Sequence, residues 1–398
     1  MNTPSYLKLA NLGEKLAVLD GLKRKRLLDD RLSAVSVLRV SEGAKYHIIS
    51  QLPCRRLFVV SDNLAAKSAT RQLSSWGLNV KFLPPRDDVL LPRKGFSLAN
   101  LRQRINALTS IVSNEADVIV TSAEALLQLF PARRLVERFS LTLKKEDVIS
   151  PQTLADKLAD MGYTRQSMIA DVGDFALRGD ILDVYDVSGN AYRVNFFDEL
   201  IEDIKLLDVD AMLSTNEVES ITLSPTSDIL IDEKGYDLAR EGLKKHLGNK
   251  NCQEIFDKLS IGANDASFVW ALPFIKGCSE SLIDFLNDGE PTVVIFDEPK
   301  VVFDKLGILR KEFDGRINTL LNGGEIVDEH KAVCIDMFEL KRELLTAREM
   351  SFSSLSLTNN LFEPKLVIEP KTRAVTKIIL GDRSCHRAKD KSGHQVLS

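Results

Sequence analysis

The stretch DFALRGDILDVYDVSGNAYRVNFFDELIEDIKLLDV, from Asp174 to Val209, decides how the middle of the chain folds. It holds four short runs, DFALRG, DILDVYDV, AYRVNFFD and IEDIKLLDV, broken by Gly179, by Ser188-Gly189-Asn190 and by Glu199-Leu200. Runs this short, with turn residues between them, predict an antiparallel meander rather than a crossover unit. Upstream, Ser150-Pro151 predicts a helix start, with Ser as N-cap and Pro in the first turn, and Gly162 predicts its end. Helix and meander together predict a small α+β domain over about 145–212.

The region before it has a different grammar. RRLFVVSD (Arg55 to Asp62) is fit for a buried parallel strand, and Asn63 is placed to cap a helix that Gly77 stops. NVKFLP predicts a second strand, Leu98 to Val112 a helix, ADVIVTS a third strand, and a further helix ends near Pro131. Alternation of this kind predicts a parallel sheet with crossover helices over about 1–144. Beyond Pro225, helices are expected at Tyr236–Leu247 and Ser279–Leu286, then the strand TVVIFDE, then long helices to about Arg348. That makes 213–350 a third, mostly helical part, and 351–398 a strand-like segment with a tail lacking apolar periodicity.

The 398 residues suit two or three domains, each with its own core. The longest apolar runs fall far short of the roughly 20 residues a membrane helix needs, and no signal-peptide pattern is present. Five scattered cysteines show no paired or His-containing spacing, so neither a disulfide framework nor a metal site is expected. The formal charge of −4 conceals a division. Residues 1–113 hold 19 Lys and Arg against 8 Asp and Glu, and 371–398 hold 7 against 2, which leaves 114–370 at −20. A basic front and an acidic body point to distinct partner surfaces.

Four groups of residues are candidates for chemistry. RVSEGAKYH, from Arg39 to His47, sets Lys45 where a phosphate-loop lysine would stand. Arg39 and Ala44 occupy the two glycine positions and Tyr46 the Ser/Thr position, so the magnesium hydroxyl is missing and the turn is crowded. Asp297 and Glu298 end an apolar strand, as a magnesium-binding and a water-orienting carboxylate would, but have no phosphate loop to serve. No catalytic residue and no cofactor is therefore expected. Lys23 to Arg26, Arg55, Arg56, Arg86, Arg93, Lys94, Arg102 and Arg104 are cations that could touch nucleic-acid phosphates, or simply solvate their own surfaces. Arg165 and Arg178 are two of only four Lys/Arg in the acidic stretch 151–200. Their guanidinium forks suit a partner's carboxylates, and equally an internal ion pair of Arg178 with Asp174, Asp180 or Asp183.

The run from Met161 to Asp210, with its GY, DFALRG, YRVNFFD and IEDIKLLDVD segments, resembles the UvrB-homology region of bacterial transcription-repair coupling factors. LPPRDDVLLPR, LANLRQRINAL, DVIVTSAEALLQLFP and TVVIFDEP extend that resemblance over about 30–345. It implies a degenerate P-loop-type, helicase-like parallel-sheet domain, an inserted α+β domain, and a further mostly helical domain that completes the α/β module. It also implies a cytoplasmic nucleotide-excision-repair factor whose inserted domain binds UvrA, the damage sensor. The docking arginines carry over as Arg165 and Arg178, with support from Tyr163 and Phe175.

Two departures matter. The phosphate loop is eroded, and PPRDDVLLPRKG is too short for the damage-probing hairpin of UvrB. The polymerase-interacting domain and translocase motor of full-length relatives are not expected in this chain, so contact with RNA polymerase and DNA would come only through domains absent from it. The rival expectations are a nucleotide hydrolase using Lys45, Asp297 and Glu298, and a non-specific DNA-binding arm on the basic front.

Overall fold

Six consecutive buried residues, Arg55 to Val60, form a strand with parallel neighbours on both sides. Thr292–Asp297 pairs on one side, Val118–Ser122 on the other, and Val80–Leu83 lies beyond the latter. The helices Asn63–Ser74 and Leu98–Val112 make the crossovers and pack on these strands. This is a computed structural model, and it describes residues 34–87, 97–260, 266–275, 277–354 and 366–368. Pro53–Met350 forms one compact unit, and the described parts of Met1–Leu52 and Ser351–Ser398 form another. In the second unit Ala34–Leu38 pairs in parallel with Leu366–Ile368, and the helix Glu42–Ser50 buries Tyr46, Ile48 and Ile49.

The six-stranded sheet of the Pro53–Met350 unit is built on α1 (Pro151–Asp160), which Ser150 caps through its hydroxyl and which gives way to Gly162 at φ +91°. Then follow β1 (Thr164–Arg165), β2 (Asp174–Arg178), β3 (Ile181–Tyr185), β4 (Ala191–Phe197), β5 (Leu200–Asp208) and β6 (Leu213–Glu217). They form one sheet in sequence order, antiparallel throughout except for the short parallel pair β1–β2. The meander expected from the turn residues is therefore present. Leu154, Leu158, Phe175, Leu182, Val184, Val194 and Phe196 meet in one core, so α1 covers one face of the sheet. Leu141–Lys144 pairs with Ser220–Leu223 and ties the entry of this region to its exit.

Several boundaries differ from expectation. Asp62, not Asn63, caps the first crossover helix, because its carboxylate accepts from the amides of Leu64 and Ala65 at 3.0 and 2.9 Å. The helix expected to end near Pro131 is only Ala123–Leu126, and Phe130–Pro131 pairs instead with Ser279–Glu280. The helix expected from Tyr236 starts at Glu233 under an Asp232 cap, and the one expected over Ser279–Leu286 contracts to Leu282–Phe285. The predicted strand VTKIILGD, the tail beyond it, Lys23 to Arg26 and Arg93-Lys94 lie outside the described residues. Among the described residues no helix is long and apolar enough to cross a membrane, and no cluster of His, Cys, Asp or Glu could hold a metal ion.

Candidate functional site

Strand alternation sorts the six-stranded sheet into two faces. Phe175, Leu177, Leu182, Val184, Val194 and Phe196 point to the core, so Ala176, Arg178, Asp183 and Arg193 belong to the opposite face. On that face the register sets Ala176, Asp183 and Arg193 side by side across three strands. Asp183 is wholly buried beneath the two guanidiniums it binds. Arg193 forks onto it, with Nε at 2.7 Å from Oδ1 and Nη2 at 2.9 Å from Oδ2, and Arg178 donates through Nη2 to Oδ2. One carboxylate thus fixes two cations, leaving a net positive charge at the surface. Arg178 keeps 48% of its side chain exposed and Arg193 19%. The outer edge of this cluster is a preset guanidinium with donors left to face a carboxylate on another molecule.

Arg165 stands elsewhere. Its strand β1 is at the sheet edge, and the register sets it opposite Phe175, three residues along β2 from Arg178, or about 10 Å. It is exposed and makes no ion pair with any described residue. Tyr163 and Phe175 are buried, at 4% and 1% exposure, and sit in the α1-side core. The Tyr163 hydroxyl lies 2.7 Å from Asp186 Oδ1 and 2.8 Å from the carbonyl of Ser224, and burial, reinforced by Asp186, pushes its pKa well up. Neither side chain offers a surface to a partner; both hold the strands that carry the arginines. Arg193 is the residue that reading the sequence passed over. Its signal was available in parity, since Arg178, Asp183 and Arg193 each alternate with core residues.

The residues of the eroded nucleotide motif fall in separate units. Lys45 is on the helix Glu42–Ser50, whose cap is Ser41, and Arg39 has φ +54°, a backbone conformation that favours glycine. Asp297 ends its strand and Glu298, at φ +51°, opens the helix Pro299–Asn322.

Four arginines offered as phosphate contacts are internal, which corrects that expectation. Arg55 is held by Asp288 at 2.7 Å, and the Arg56 guanidinium donates to the Asp117 carbonyl at 3.3 Å. Arg104, 1% exposed, and Arg86 both reach Asp228, at 2.6 and 2.8 Å. Each of these cations is buried against an interior acceptor instead of facing solvent.

The family described as UvrB interaction domain matches residues 141–228, a span that begins on the strand pair joining entry to exit and contains both of its strands. Transcription-repair-coupling factor of Bacillus subtilis is 26% identical over 292 residues, covering 69% of this chain and 25% of the relative. That of Staphylococcus haemolyticus is 24% identical over 324 residues, 76% of this chain and 28% of its own. That of Rickettsia bellii is 25% identical over 221 residues, 55% and 20%. The chain thus spans between 20% and 28% of the length of these curated relatives. Residues 141–228 match the UvrB interaction domain family, and the chain is similar to the N-terminal region of the transcription-repair-coupling factors.

Proposed function

We propose that the chain is a UvrA-recruiting interaction module of nucleotide-excision repair, acting in the cytoplasm, with the arginine-bearing part of the sheet face opposite α1 as the docking surface. The observation that carries this is the Asp183-bound pair Arg178 and Arg193 within the span matching the UvrB interaction domain. A guanidinium already oriented by a buried carboxylate loses little freedom when it meets an acidic partner, so affinity and charge steering both gain. Arg165 is exposed at the sheet edge, but its register partner Phe175 points to the α1 side, so it stands off the face that carries Arg178; Tyr163 and Phe175 hold the strands from beneath. In this reading the α/β part is a degenerate helicase-like platform, parts 1–144, 145–212 and 213–350 follow the three-part plan, and RNA polymerase and DNA are contacted only through other domains of the full-length relatives. Lys45, Asp297 and Glu298 then perform no nucleotide hydrolysis. Co-elution of the chain with purified UvrA on a sizing column tests the proposal. A complex is expected from the wild type, and none from Arg178→Glu with an unchanged circular dichroism spectrum.

A further inference from the structure

Next to the arginine pair, the same face of the inserted sheet ends in an apolar strip. Leu177, Leu182, Phe196, Ile201 and Ile149 all pack on the core, so their chain neighbours Arg178, Ile181, Phe197, Leu200 and Val148 share the outer face. The register lines them up across the sheet end: Arg178 opposite Ile181, Ile181 opposite Asn195, Phe197 opposite Leu200, and Leu200 bridged to Val148. Backbone hydrogen bonds from Ile149 to Glu199 and from Ile201 to Asp147, 2.7 and 2.9 Å, fasten the Val148 segment in place. Asp198, at φ +59°, tightens the turn that presents Phe197 and Leu200. Four apolar side chains are therefore held out on rigid backbone, with Val148 74%, Phe197 73%, Ile181 38% and Leu200 38% exposed.

Their surroundings say what kind of molecule covers them. Asp180, Asp198, Glu199 and Glu202 are exposed around the strip, while Arg178 stands at one end. A polyanion such as nucleic acid is repelled by that ring of carboxylates, whereas a protein surface with the opposite arrangement fits it. We infer that the strip Ile181–Phe197–Leu200–Val148 is the apolar anchor of the docking face, seating in a socket of the partner protein edged by Lys or Arg, beside the carboxylate that takes Arg178. This rests on the UvrA reading above and adds to it the anchor residues and the charge pattern of the partner's surface. Phe197 is its centre, since a rigid aromatic side chain that goes from mostly exposed to desolvated carries the largest share of such an interface.

The test measures affinity for purified UvrA with the full chain as wild type, Phe197→Asp, Phe197→Leu, Val148→Glu and Arg178→Glu. Phe197→Asp is expected to weaken binding by roughly tenfold or more, and Phe197→Leu by only a few-fold. Melting temperatures of the Phe197 and Val148 variants should not change, because those side chains lie outside the core. Val148→Glu repeats the test should Phe197→Asp fold poorly. Wild-type binding that Arg178→Glu abolishes but Phe197→Asp and Val148→Glu leave intact would overturn the anchor alone. Absence of wild-type binding would overturn the UvrA reading and the anchor with it. A wild-type dimer in sedimentation that Phe197→Asp disperses would make a second copy the occupant and also overturn the inference.

Discussion

Arg178 and Arg193 reach one carboxylate, Asp183, from the two strands that flank it. This arrangement makes Asp183 the keystone of the arginine cluster on the face opposite α1. Asp183→Ala leaves two guanidiniums without their anchor and opens a buried hole. The arginines are partly solvated, so the loss should be about 1–3 kcal/mol, below that of a fully buried pair. Urea unfolding should show the lowered midpoint, and affinity for UvrA should fall with it.

Tyr163 and Phe175 should behave as scaffold. Phe175→Ala removes a fully buried ring and should cost about 3–5 kcal/mol. Tyr163→Phe strands the acceptors Asp186 and Ser224 and should cost about 1–2 kcal/mol. Chemical denaturation reads both, and binding of the folded fraction of Tyr163→Phe should match wild type.

The Asp228 carboxyl links two buried arginines. Burial pushes its pKa up, but Arg86 and then Arg104 more than offset this and hold it below the usual carboxylate value. Its contribution is therefore fully present above the unfolded value of about 3.9 and is lost as pH falls from there through the folded value. Asp228→Asn should destabilise by about 3–5 kcal/mol at neutral pH, by leaving two buried cations unpaired, and should flatten the acid limb of a stability profile.

His330 supplies a second pH dependence. Burial lowers its pKa, its Nε2 has no hydrogen-bond partner, and the rings of Trp270 and Phe274 lie 5.2 and 5.6 Å away. The neutral form is the folded one, so stability is present above the unfolded value of about 6.5 and declines as pH drops through the lowered folded value. His330→Phe should remove that part of the slope between pH 7.5 and 5.5, read from urea midpoints.

The inserted sheet was legible because turn residues at Gly179 and at Ser188-Gly189-Asn190 cut it into short runs, and Ser150, Pro151 and Gly162 bracket its helix. The arginines were only half legible. Arg178 stands out by its rarity among acidic residues, but the pair with Arg193 exists through cross-strand register, which spacing alone does not reveal. Arg104 and Asp228, 124 residues apart, meet only because the insertion returns the chain to its starting point. That is why buried cations in the first part read as surface charge. The Asn63 cap was missed by one residue, since either side chain suits the position and only the backbone geometry selects Asp62.

For the eroded phosphate loop, calorimetric titration of the full chain with ATP and magnesium should give no saturable heat, and Lys45→Ala should leave that null result unchanged. Micromolar binding abolished by Lys45→Ala would restore a nucleotide site.

The most direct test of the docking account is the affinity of the full chain for purified UvrA, compared between wild type and Arg178→Glu at one salt concentration. The account predicts saturable binding by the wild type and a loss of roughly a hundredfold or more on reversing this charge, with an unchanged circular dichroism spectrum. Equal affinities for the two proteins, or no binding by the wild type, would contradict it.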